Sequence, residues 1–158
     1  MGSKIMEHDY RMYCLAERHL SSIQKAIQSA HAIVEYGLVW GLTPEYQHWA
    51  KNNKTIVILD GGTCPEMVLS GMSLFENNHP HASFQEPDMN FMKTAICFLV
   101  DERVWDYSKY GHSYEEYNFM TTCNSELPKW TYEEWVDWIG GQENANLKAL
   151  ITNKRLAV

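Results

Sequence analysis

Gln24, Gln28, His31 and Glu35 recur at helical spacing within one stretch near the N-terminus, SSIQKAIQSAHAIVEYG. On a helix these positions, at i, i+4, i+7 and i+11, fall within about 60° of one another. Glutamine there offers a donor and an acceptor to a base edge or a ribose, and histidine can act as a general base. Gln24, Gln28 and His31 are therefore candidate ligand-binding residues. The competing assignment is a polar shoulder beside a core stripe, with Gln24 closing a helix cap.

Glu86 and Asp88 flank Pro87 at the end of the strand-like run HASFQEPD, residues 81–88. Strand ends are where α/β proteins place their sites, so this pair is a candidate for acid/base work or for holding ribose hydroxyls. The plain alternative is an acidic turn before a hairpin. Asp60-Gly61-Gly62-Thr63 closes TIVILDGG, and the amides of Gly61 and Gly62 are candidates to cradle a phosphate where the next helix starts. One Gly-Gly pair after a strand is also the mark of an ordinary turn. His79-Pro80-His81 comes nearest to metal spacing but matches a solvated turn, so neither a metal nor another cofactor is expected.

The elements that must position these groups are legible in the patterning. YRMYCLAE (10–17) is an uninterrupted apolar strand. Ser21 with Gln24 three residues on forms a capping box that starts a long helix. Ile23, Ala26, Ile27, Ala30, Ile33, Val34 and Leu38 form its apolar stripe, which is expected to face the core. Gly37 or Gly41 ends it, and Thr43-Pro44 opens a shorter helix. TIVILDGG (55–62) is a strand buried on both faces, and Thr63 with Glu66 starts the next helix. HASFQEPD and KTAICFLVDERVW (93–105) complete the strands. Residues 106–130, rich in tyrosine, are expected to form a loop with one short helix. Its rings are suited to stacking on bases or to a dimer interface. Thr131 with Glu134 caps a helix that stops at Gly140-Gly141, with Trp135 and Trp138 in the core, and a last helix follows. The expected fold is α/β: a three-layer α/β/α sandwich with a mixed four-stranded sheet and a C-terminal helical extension.

Composition sets the bounds. The 158 residues fit one domain, with a core over 10–105 and an extension over 106–158. Thirteen Lys+Arg against 20 Asp+Glu give a net charge of −7, and no basic patch offers the counterion release that drives binding to long nucleic acids. No apolar run approaches the ~20 residues of a membrane span. There is no signal-peptide pattern, and Cys14, Cys64, Cys97 and Cys123 lack C-x-x-C spacing. These features predict a cytoplasmic protein with reduced thiols.

A strand followed by a helix carrying A-x-Q-x-x-H-A resembles the type 2 peptidyl-tRNA hydrolase family, whose opening helix bears G-K-x-A-A-Q-x-x-H-A. Gln28 matches the motif glutamine and His31-Ala32 its HA pair. The resemblance covers roughly residues 10–105. It implies that Glu86 or Asp88 stands in place of a catalytic aspartate, and that Thr94 matches the threonine opening the last strand. The F-x-E-P-D turn and the tail W-x-x-W-I-G-G-Q-x-N-A-x-L look like a divergent, phage-like branch. The motif lysine, however, is Gln24 here, and Lys25 lies one residue later, ~100° around the helix.

Two functions follow as expectations. One is a binder of a small nucleotide without turnover, in a phage protein sequestering a host immune signal such as an ADP-ribose derivative or a cyclic nucleotide. Its ligand residues would be Gln24, Gln28, His31, Glu86, Asp88, Thr94, Gly61 and Gly62. The neutral Gln24 at the lysine position favours this expectation. The alternative is an ester hydrolase of peptidyl-tRNA or an aminoacyl-nucleotide, with Asp88, Glu86 and Lys25 as catalytic candidates. Binding of tRNA is disfavoured by the acidic balance. A homodimer with no membrane contact is expected in either case.

Overall fold

A computed structural model describes residues 7–124 and 126–157. The chain divides into two compact units: Met1–Leu99 together with Lys154–Val158, and Val100–Asn153.

In the first unit the elements run β1 (Tyr10–Glu17), α1 (Ser22–Trp40), α2 (Pro44–His48), β2 (Ile56–Gly62), α3 (Cys64–Glu76), β3 (His81–Glu86) and β4 (Met92–Asp101). A π-helical turn, Trp49–Asn53, continues α2 and ends on Lys54 in the left-handed region. The strands form one mixed sheet in the order β2-β1-β4-β3, with β1 and β2 parallel and β3 and β4 antiparallel. The last described residues return to this sheet: Leu156 bridges to Leu59, and the Asp60 amide donates to the Arg155 carbonyl.

Alternation along the strands sorts the core into two faces. Met12, Cys14, Ala95, Cys97 and Leu99 pack with Ala32 and Tyr36 of α1 and with Trp49. On the other face Tyr13 stacks on Phe98, and a side chain at Gly61 would run into Met67 of α3. Helix, sheet and helix thus make the three layers.

The capping boxes at Ser21 and Thr63 form as the sequence predicts, and α1 ends on Gly41. The orientation of α1 is the reverse of expectation. Lys25, Gln28, Ser29, Ala32 and Tyr36 are the buried face, whereas Ile23 is 74% exposed and Leu38 76%. The small residues Ser29 and Ala32 let the helix come close enough for the Cys97 thiol to donate to the Ala32 carbonyl at 3.2 Å. Polar groups at the end of the sheet also require a polar partner there, which Gln28 supplies.

The second unit begins within β4. The strand expected to run to residue 105 ends at Asp101, whose carboxylate accepts from the Arg103 amide and guanidinium and starts α4 (Glu102–Trp105). The expected loop is instead helical: α5 (Tyr107–Tyr110) and α6 (Tyr114–Cys123) precede α7 (Tyr132–Trp138) and α8 (Gln142–Thr152). Ser113 caps α6 through the Glu116 amide, a local signal hidden among the tyrosines. Tyr110, Tyr117, Trp135, Val136 and Ile139 form this unit's core, with Trp138 packed against it. No described helix is long and apolar enough to cross a membrane.

Candidate functional site

The site is built where β1 turns into α1. Residues Arg18 to Ser21 connect the two elements, so the first turns of α1 hang over the end of the sheet at which β1 finishes. Gln28 ties β3 and β4 to the same end. Its Nε2 donates to Glu86 Oε2 at 2.8 Å, and its Oε1 accepts from the Thr94 hydroxyl at 2.7 Å. Gln28 and Thr94 are buried, and Glu86 is half-buried.

A register shift makes this contact available. Phe84 pairs with Ala95 and Gln85 with Lys93, so Thr94 is passed over in the register with β3. The extra residue breaks the in-out alternation, so that Thr94 and Ala95 both serve the α1 side. The remaining Glu86 oxygen, Oε1, accepts from the Asp88 amide at 3.4 Å at the start of a 3₁₀ turn, Pro87–Met89. Asn90 and Phe91 then take φ of 56° and 58°. Left-handed backbone is costly for an aromatic residue, and the turn closes with the Phe91 amide donating to the Glu86 carbonyl. Asp88 and Phe91 are exposed beside Glu86.

Lys25 completes the group. It lies three residues before Gln28 on the buried face and is 8% exposed. Among the described residues its ammonium has no hydrogen bond or ion pair, while its charge reaches Asp60 at the end of β2. Burial alone would raise the Asp60 carboxyl. The Gly62 amide, the Arg18 guanidinium and the Lys25 ammonium together hold it below the ordinary carboxylate value. Arg18 Nε contacts Asp60 Oδ2 at 3.1 Å. Glu17, buried at the end of β1, accepts from the His19 amide and ring at 2.7 Å each. One end of the sheet therefore carries three anchored carboxylates, Glu17 on β1, Asp60 on β2 and Glu86 on β3, with Lys25 above them on the buried face of α1.

The other expected residues are distributed differently. Gln24 is exposed and closes the helix cap, its Oε1 accepting from the Ser21 amide. His31 is exposed and meets Phe84 edge-on at 4.5 Å, lining a recess of about 310 Å³ with Ala30, Val34 and Glu35. It does not join Gln28. The Gly62 amide donates to Asp60 Oδ1, and the Thr63 amide to Glu66. Both amides face carboxylates, and Gly61 is held tightly among Met67, Leu15 and the Ala16 carbonyl. His79 and His81 direct ring nitrogens at the carbonyls of Leu99 and His79.

Sequence reasoning passed over Glu17, Arg18 and Phe91. The first two carried a signal, charged residues ending an apolar strand just before a capping box. The backbone of Phe91 carried none.

No family model matches the chain, and no curated protein matches it either.

Proposed function

We propose that the chain hydrolyses the acyl ester of a nucleotide, as the resemblance to type 2 peptidyl-tRNA hydrolases implies. The observation that carries this is the placement of Lys25: a residue 8% exposed whose ammonium has no hydrogen bond or ion pair among the described residues, on the same helix face as Gln28, whose amide holds the Glu86 carboxylate. Residues three apart on a helix are neighbours, with Cβ atoms about 5–6 Å apart. The neutral Gln24 therefore does not argue against catalysis, because its side chain belongs to the cap and Lys25 lies on the buried face of α1.

In this chemistry Glu86 takes a proton from water as the oxygen attacks the ester carbonyl. Lys25 stabilises the negative charge that develops on the carbonyl oxygen. The carbon–oxygen bond to the ribose breaks, and the ribose oxygen leaves with the proton that Glu86 took from water. Gln28 and Thr94 orient Glu86 and are positioning residues. Exposed Phe91 offers a ring for the terminal base. Given the net charge of −7, recognition would be confined to the acyl-adenosine end of a tRNA.

That charge also favours a second reading, in which a small nucleotide such as an ADP-ribose derivative or a cyclic nucleotide is held intact by a cytoplasmic, phage-like protein. The test exposes the protein to peptidyl-tRNA and to a nucleotide panel, following product release and melting temperature. Release of the acyl group supports hydrolysis. Saturable stabilisation by a nucleotide recovered unchanged supports sequestration.

A further inference from the structure

We propose that a cleft in the second unit binds a linear aliphatic polyamine, a chain of methylenes carrying two or more ammonium groups. This goes beyond the proposed hydrolysis and does not rest on it, since the residues lining the cleft run from His112 to Asn153 and belong to the second unit alone. The cleft has a volume of about 500 Å³ and is lined by the starts of α6 and α7 and by one face of α8.

Two helix starts of the same pattern build its aromatic wall. Ser113-Tyr114-Glu115-Glu116-Tyr117 and Thr131-Tyr132-Glu133-Glu134-Trp135 each place a hydroxyl, a tyrosine, two glutamates and a second ring in succession. The Ser113 and Thr131 hydroxyls accept from the Glu116 and Glu134 amides, which fixes both starts. Tyr114 and Tyr132 meet at 88° with ring centroids 5.5 Å apart, and buried Trp135 backs them at 6.0 and 6.2 Å. Tyr114 is anchored by its hydroxyl, which donates to the Trp130 carbonyl, while Tyr132 is 43% exposed. Such rings attract an ammonium and its neighbouring methylenes.

Helix α8 supplies the other wall. Gln142, Ala145, Ala149 and Asn153 follow one another along it over about 16 Å. The small alanines leave room in the middle, and an amide stands at each end. Gln142 Nε2 donates to Asn146 Oδ1, so the Gln142 oxygen is left to accept. The Asn153 side chain has no hydrogen-bond partner among the described residues. Oxygen acceptors separated by methyl groups match ammonium groups separated by methylenes.

Charge decides the sign of the ligand. Val100–Asn153 holds ten Asp+Glu against four Lys+Arg, which disfavours anything bearing phosphate. Glu115 lines the cleft, and neither it nor Glu133, next to Tyr132, has a hydrogen bond or ion pair among the described residues. Lys148 also lines the cleft, but its ammonium donates to the Val104 and Gly111 carbonyls. A single compact ammonium would leave most of the volume empty, whereas a chain follows the length of α8.

Calorimetric titration of the full chain with spermidine at low salt tests this. Spermidine should saturate one site per chain and bind at least ~10-fold more tightly than butylamine or a lysine tripeptide. Tyr132→Ala should weaken binding about 10-fold and Tyr132→Phe should keep it, because the ring and not the hydroxyl makes the contact. Glu115→Gln should weaken it about 3-fold. Glu126→Gln, the same charge change outside the cleft, should leave it unaltered. Urea unfolding checks that each variant is folded. No saturation by about 1 mM spermidine, unchanged affinity in folded Tyr132→Ala, or equal losses in Glu115→Gln and Glu126→Gln would each overturn the proposal. So would a lysine tripeptide that binds as tightly as spermidine.

Discussion

Gln28 holds Glu86 by a 2.8 Å hydrogen bond that spans 58 residues of sequence. The same amide accepts from the Thr94 hydroxyl, so one side chain joins α1, β3 and β4 at the end of the sheet. Replacement by leucine would leave a buried hydroxyl and a half-buried carboxylate poorly met, with 3.4 Å bonds to the Phe84 carbonyl and from the Asp88 amide as what remains for them. Unmet groups of this kind cost about 1–3 kcal/mol. Gln28→Leu should therefore lower the free energy of urea unfolding by that amount. Thr94→Val should cost less, because it leaves the bond to Glu86 in place.

Phe91 is exposed with a left-handed backbone, a conformation that costs a non-glycine residue about 1–2 kcal/mol. Phe91→Gly should therefore unfold at higher urea, with a gain of about 1 kcal/mol. If its ring stacks on the substrate's base, the same variant should show a raised KM with little change in kcat. A stabilised variant with unchanged KM would remove Phe91 from the site.

Lys148 gives the second unit a pH signature. The residue is buried, and its ammonium donates to the Val104 and Gly111 carbonyls. Burial pulls its pKa down from 10.5 to about 8, against the opposing pull of Asp101, Asp106 and Glu116. Between those values the unfolded chain binds more protons than the folded one, so this lysine makes stability rise from about pH 8 toward 10.5. The thiol of Cys14, pushed up to about 12 by burial, acts in the opposite direction above its ordinary value of 9.0. The contribution of Lys148 is therefore read as the difference between wild type and Lys148→Met. That difference should shift in favour of wild type by about 2 kcal/mol across the window, and a constant difference would contradict the burial.

The sequence made the helix starts legible because capping boxes are local. Ser21 with Gln24, Thr63 with Glu66 and Thr131 with Glu134 each form as spaced. The strands were legible through unbroken apolar runs. The facing of α1 was not, since periodicity finds an apolar stripe without saying whether the core or another surface covers it. The helices of residues 107–123 escaped because aromatic side chains lower helix propensity, and their burial depends on packing within the second unit. At the candidate site, Gln28, Glu86 and Thr94 could be named from sequence, but their mutual contacts could not. Those depend on the register shift at Thr94, which leaves no mark in composition. The direction of Lys25 depends in turn on which face of α1 is buried.

The central claim is that Lys25 and Glu86 act together on an acyl ester. Its most direct test is single-turnover hydrolysis of labelled N-acyl-aminoacyl-tRNA by wild type, Lys25→Met and Glu86→Gln, with folding of each variant checked by urea unfolding. Wild type should release the acyl amino acid, and each variant should lose about 10²-fold or more in rate while remaining folded, the scale expected for an oxyanion-stabilising or base residue. Turnover that survives intact in Lys25→Met, or a wild type that binds the substrate and returns it unhydrolysed, would contradict it.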